Sequence, residues 1–147
     1  MKKLIILLKL LFTISLFSTS AIADELKDFM LKQIQAKEFY SELYTDEYQA
    51  FLVVDDSYEV MTKADIKELM EIAKDENVLP TVKSFNILYR SETQDFISAT
   101  FEYEWEISVG NTNMDGKVSG ISVFLKTDEG YITIFDAQTQ WKLNFFS

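Results

Sequence analysis

Cysteine and histidine are both missing from this chain, and proline occurs once. Without cysteine no disulfide can brace the fold, so the core must hold alone, and lipid attachment at a lipoprotein-type cysteine is excluded. Without histidine there is no imidazole acid–base step, no Ser-His or Cys-His nucleophile and no histidine metal site. Basic side chains are also scarce, 14 Lys and Arg against 24 Asp and Glu, for a net charge of −10. That sign repels phosphate and anionic lipid heads, which excludes nucleic acid as a natural partner. Attraction to a basic protein stays open, and solubility alone also explains the charge.

The one long apolar run lies at the start. Lys2 and Lys3 precede Leu4 to Phe17, which is interrupted by Lys9, Thr13 and Ser15, and Ala21-Ile22-Ala23 closes the segment with small residues. This is the pattern of a cleaved export signal over residues 1–23. A membrane anchor would need about 18 to 20 unbroken apolar residues. Cleavage before Asp24 leaves one domain, 24–147, with no membrane attachment, in the periplasm or outside the cell. Loss of Lys2, Lys3 and Lys9 takes the net charge from −10 to −13. A domain of this size buries roughly two-thirds of its unfolded surface.

After the leader, the hydrophobic period changes twice. Leu26, Phe29, Met30, Ile34, Phe39, Tyr40 and Leu43 follow helical steps, with a drift around Gln35 to Lys37 that allows a break into a long and a short helix. Tyr48 to Val54 suits a strand ended by the turn residues Asp55-Asp56-Ser57. Thr62-Lys63-Ala64-Asp65 opens a second helix, with Ile66, Leu69, Met70, Ile72 and Ala73 as its buried face and Pro80 beyond its end. From Thr81 onward the period is two. Four strands follow, separated by Ser91 to Asp95, Asn111 to Gly116 and Thr127 to Gly130. Helices followed by an antiparallel meander read as α+β, with the helices on one sheet face. There is no internal repeat, linker or low-complexity segment.

The clearest strand is Thr100 to Val109, where Phe101, Tyr103, Trp105 and Ile107 alternate with Glu102, Glu104, Glu106 and Ser108. Glutamates roughly 7 Å apart along one face repel weakly when solvated or paired with lysines such as Lys117 or Lys126. They read as the wet side of the strand, and the aromatic row as the side that matters.

Several stretches together resemble the SnoaL-like branch of the nuclear transport factor 2-like superfamily. They are Thr62-Lys63-Ala64-Asp65 at a helix start, Gln94-Asp95-Phe96 at a strand entry and Gly116-Lys117 before the penultimate strand. The last is Leu125-Lys126-Thr127-Asp128-Glu129-Gly130-Tyr131, leading into a strand with Gln138. Tyr131-Ile132 stands where such proteins carry a tryptophan. The resemblance implies a cystatin-like α+β cone. Helices would pack in the concave face of a strongly curved, mostly antiparallel sheet, with a pocket at the open end. Phe101, Tyr103, Trp105 and Ile107 would then face inward as core and pocket wall. Proteins of this fold include isomerases, dehydratases, cyclases and many members with no demonstrated chemistry, so the fold does not choose a function.

Candidate chemistry is sparse. Asn111-Thr112-Asn113-Met114-Asp115-Gly116 mimics the start of a calcium loop, but Ser122 stands where a bidentate glutamate is needed, and a hairpin with Asp115-Gly116 at its tip explains it better. No metal or other cofactor is implied. Asp136 is the more informative acid. If Ile132, Ile134, Asp136, Gln138 and Gln140 face inward, as the resemblance implies, a desolvated carboxylate lies in the pocket as a potential general base. If Tyr131, Phe135, Ala137 and Trp141 face inward, as hydrophobicity suggests, Asp136 is exposed. Both faces are partly apolar, which suits helices on one and a second subunit on the other. Tyr89 and Tyr103 are candidate donors to a ligand, beside Trp105, Ile134 and Gln138.

The resulting expectation is an exported, non-catalytic homodimer with a small apolar pocket for a hydrophobic ligand. The alternatives are a lyase or isomerase with Asp136 as base, and an acidic protein-interaction module. N-terminal sequencing of exported protein should begin at Asp24, and a chain retaining Met1 in the membrane fraction would contradict the leader assignment.

Overall fold

The computed structural model describes residues 25–54 and 57–146, so the leader and the Asp55-Asp56 turn lie outside the described residues. Helix α1 (25–34) gives way, near the drift in the apolar stripe, to a single 3-10 turn at Ser41–Leu43. Strands β1 (Tyr44–Val54) and β2 (Ser57–Thr62) come next, then helix α2 (Lys63–Asp75). The meander β3 (Thr81–Glu92), β4 (Phe96–Val109), β5 (Thr112–Thr127) and β6 (Gly130–Phe146) completes the domain. All six strands form one unclosed sheet in the order β2-β1-β6-β5-β4-β3. Every pairing is antiparallel except β1 with β6, which is parallel. The helices lie against one face of this sheet, the expected α+β arrangement.

Helix α1 packs as its spacing requires. Leu26 and Met30, one turn apart, are buried against Phe85, Ile97, Ala99, Phe101 and Phe124, with the Phe29 ring edge-on to Phe124 at 5.8 Å. Gln33 ties the helix to β6 by donating to Thr133 Oγ1 at 2.7 Å. Helix α2 begins at a capping box, where Thr62 Oγ1 accepts from the Asp65 amide and Asp65 Oδ2 accepts from the Thr62 amide at 2.7 Å. The bonds that Asp65 Oδ2 accepts from the Thr62 amide and the Thr62 hydroxyl hold its carboxyl below the ordinary value. Its expected buried face is only partly used: Ile66 packs against Tyr48, Ala50 and Met61, whereas Leu69 and Ile72 remain exposed. The reason is position, since α2 lies over the sheet edge formed by β1 and β2 rather than over its middle.

Three further features depart from the sequence reading. Strand β2 was not anticipated, because its burial follows no alternation. The β4–β5 connection is not Asn111 to Gly116 but the two-residue turn Gly110-Asn111, with Val109 paired to Thr112 and Gly110 at φ +60. Asn113 and Asp115 therefore lie within a strand. Asn113 Oδ1 accepts from Ser108 and Asp115 Oδ1 from Asn144, so no calcium loop forms there. Gly116-Lys117 is likewise inside β5, not before it.

Both glycines in the body of β5 fill steric requirements. A Cβ on Gly116 would meet the Trp105 ring at 2.7 Å, and one on Gly120 would meet the Ala137 carbonyl oxygen at 2.4 Å. On β4, Phe101 is buried and the glutamates point the other way. Glu102 pairs with Lys117 at 2.8 Å and Glu106 with Lys83, whereas Lys126 pairs instead with Glu92. Changing Glu102, Glu104 and Glu106 to Gln should cost within about 0.5 kcal/mol each. Phe101→Ala should cost about 3–5 kcal/mol, and Gly120→Ala about 1–3 kcal/mol through overpacking. Urea titration separates these classes, and equal tolerance would reverse the assignment of faces.

Candidate functional site

The conflict over the last strand is resolved by a bulge. β5 pairs Phe124 with Thr133 but Val123 with Phe135, leaving Ile134 as an extra residue in β6. Tyr131 and Thr133 therefore face the helices before the bulge, and Asp136 and Gln138 face the same way after it. Each sequence alternative is right over half the strand. The side chain of Trp141 lies outside the described residues.

Two adjoining cavities open on this concave face. The inner one, about 250 Å³, has Asp136, Ser122, Tyr44 and Tyr48 in its wall. The outer one, about 330 Å³, is walled by Trp105, Ile107, Met114 and Val118. Leu52, Pro80, Tyr103 and Gln138 border both. Among the described residues, no lysine or arginine lines either cavity.

Asp136 is placed by two neighbours in the sheet: it is in register with Ser122 on β5 and with Ala50 on β1. It is 8% exposed. Ser122 Oγ donates to Oδ1, and Tyr48 Oη donates to Oδ2 at 2.6 Å. Burial raises the carboxyl above its ordinary value, and the two hydrogen bonds oppose that shift without cancelling it. The surrounding phenols move with it. Burial, then the charge of Asp136, pushes Tyr103 up to about 12 and moves Tyr44 and Tyr48 upward further. These hydroxyls are consequently donors and not bases. An ionised carboxylate offers about four acceptor positions, so Tyr48 and Ser122 leave part of Asp136 available to a ligand.

Of the residues singled out from sequence, Asp136, Gln138, Tyr103 and Trp105 come together here. Tyr89 and Ile134 do not. β3 shifts register between Ile87 and Tyr89, which turns Tyr89 to the outside at 66% exposure. Ile134 is the bulge residue and lines neither cavity. Sequence reasoning missed Tyr48, Tyr44 and Ser122. Ser122 occupies a polar position in the inward row Val118, Gly120, Ser122, Phe124, which was a usable signal. Tyr48 reaches Asp136 only through the parallel β1–β6 pairing, which no local pattern announces.

No protein-family model matches the chain, and no curated protein matches it. Solved structures do. A hexachlorocyclohexane dehydrochlorinase (LinA) type 2 is similar at 7% identity and TM-score 0.61, over 92% of this chain and 93% of that one. A ketosteroid isomerase-like protein from Erwinia carotovora atroseptica has 12% identity and TM-score 0.61, over 84% and 95%. An NTF2-like protein with a cystatin-like fold from Novosphingobium aromaticivorans has 12% identity and TM-score 0.57, over 86% of each chain. The fold is thus the nuclear transport factor 2-like α+β cone.

The raised Asp136 value has a defined consequence for stability. The contribution of this group is full below the ordinary carboxylate range and is lost as pH rises through the raised folded value. Asp136→Asn cannot ionise and escapes that loss. The stability of the parent relative to Asp136→Asn should therefore fall over the interval from the ordinary carboxylate value upward. Denaturant titrations at successive pH values measure the difference, and a rise over that interval would mean that the carboxyl is depressed.

Proposed function

We propose that this chain is an exported domain that binds a small, mainly apolar ligand in the paired cavities without transforming it. The observation that carries the reading is the join between the chambers. An apolar outer wall meets an inner wall with a few convergent polar groups at Tyr103 and Gln138, the usual composition of a small-molecule site. The leader supports export to the periplasm or beyond, and the acidic surface argues against nucleic acid and anionic membranes as partners. A homodimer is part of the same proposal. On the sheet face away from the helices, the Phe51 and Phe135 rings lie 5.5 Å apart and Ile121 stays 38% exposed, an apolar patch suited to a second copy.

A second reading has its own support. Asp136 is a desolvated carboxyl with no cation among the described residues of its cavity, and the Tyr44 and Tyr103 phenols beside it stay protonated as donors. A lyase or isomerase could use that set, with Asp136 as the proton-abstracting base. Two proteins of similar fold are described as ketosteroid isomerase-like and as a dehydrochlorinase, which favours testing it.

The neutral fluorophore N-phenyl-1-naphthylamine distinguishes the readings when combined with assays of proton abstraction. Trp105→Ala should weaken probe binding by roughly tenfold through loss of an aromatic wall, and Asp136→Asn should retain most of the affinity. Unchanged affinity in Trp105→Ala would contradict the cavity as the binding site. A proton-abstraction rate that falls by roughly 100-fold or more in Asp136→Asn would establish the enzyme instead.

A further inference from the structure

When Asp136 in the inner chamber is ionised, its charge has hydroxyl donors but no basic partner among the described residues of the cavity walls. Asp136 is nearly buried, and its bonded partners are two neutral hydroxyls, Tyr48 and Ser122. Buried carboxylates that stay ionised are ordinarily paired with a cation, yet among the described residues neither cavity wall contains a lysine or arginine. Around the carboxylate stand aromatic rings. Tyr44 and Tyr48 meet edge-to-face at 4.8 Å, and Tyr103 borders both chambers. Resting on the binding reading above, we infer that the ligand is an amphiphilic organic monocation. Its ammonium or alkylated amine head sits between Asp136 and the tyrosines, and its apolar body lies in the outer chamber against Trp105.

Each part of the site suits such a ligand. Aromatic faces attract cations most strongly when water is excluded, and alkylated ammonium groups give up their hydration more readily than a metal ion does. A metal ion would need several oxygen ligands, whereas one carboxylate and phenols that resist ionisation provide too few. An anionic ligand would meet the Asp136 charge without any compensating base. The net charge of −10 also draws cations toward the protein in general.

Phenyltrimethylammonium and tert-butylbenzene test the inference, since they share one shape and differ in charge. Ligand-observed NMR titration of the whole domain should give at least roughly tenfold tighter binding of the cation. The preference should disappear in Asp136→Asn, whose folding is checked by denaturant titration. Equal binding, or tighter binding of tert-butylbenzene to the parent, would overturn the cation inference and leave the apolar pocket standing. A cation preference that persists in Asp136→Asn would place the cation on the acidic surface and likewise overturn it. Failure of both compounds to bind would remove the pocket reading as well.

Discussion

The desolvation of the Asp136 carboxylate is the constraint around which the concave face is organised. Removing a carboxylate from water is costly unless hydrogen bonds or an opposite charge replace the lost hydration. The protein supplies two hydroxyl donors, one from β5 and one from β1, and no basic side chain among the described residues of the cavity walls. Both donors depend on strand order. Ser122 faces Asp136 across an antiparallel pair, and Tyr48 reaches it because β1 adds in parallel to β6. The same negative group helps keep the phenols of Tyr44, Tyr48 and Tyr103 protonated, so one charge sets the proton inventory of the chamber.

Register is the means by which the sheet delivers these groups. The bulge at Ile134 lets β6 give Tyr131 and Thr133 to the helix-packed core and then Asp136 and Gln138 to the cavity. Without it, a strict period of two would put one of those sets on the outer face. The shift in β3 after Ile87 has the opposite effect, sending Tyr89 outward where simple alternation keeps it inside. Gly116 and Gly120 allow Trp105 and the β6 backbone to lie close against β5. Together these irregularities separate a packed narrow part, centred on Phe101 and Phe124, from an open part with room for a ligand.

How much of this was legible in the sequence follows from the range of each interaction. The start of α2 at Thr62, the α1 stripe through Leu26 and Met30, and the alternating faces of β4 are local, and all three read correctly. The glutamate row was legible because a strand with one buried face must solvate the other. The Asn111 to Gly116 turn was misplaced because polar strand residues such as Asn113 and Asp115 resemble loop residues until their cross-strand partners are known. β2 and the exposed flank of α2 depend on where the sheet ends, which is a property of topology. Asp136 could be singled out as an acid in an apolar strand. Its partner Tyr48 could not, since it lies 88 residues away in the chain.

Titration of the Asp136 carboxyl carbon by NMR tests the central claim most directly, because it reads the protonation of this one group in the folded protein. The account predicts a midpoint above the ordinary value of 3.8, set by burial against the Ser122 and Tyr48 bonds. A midpoint at or below that value would contradict it, meaning that the carboxylate is solvated or already compensated and that the concave face is not organised around a buried charge.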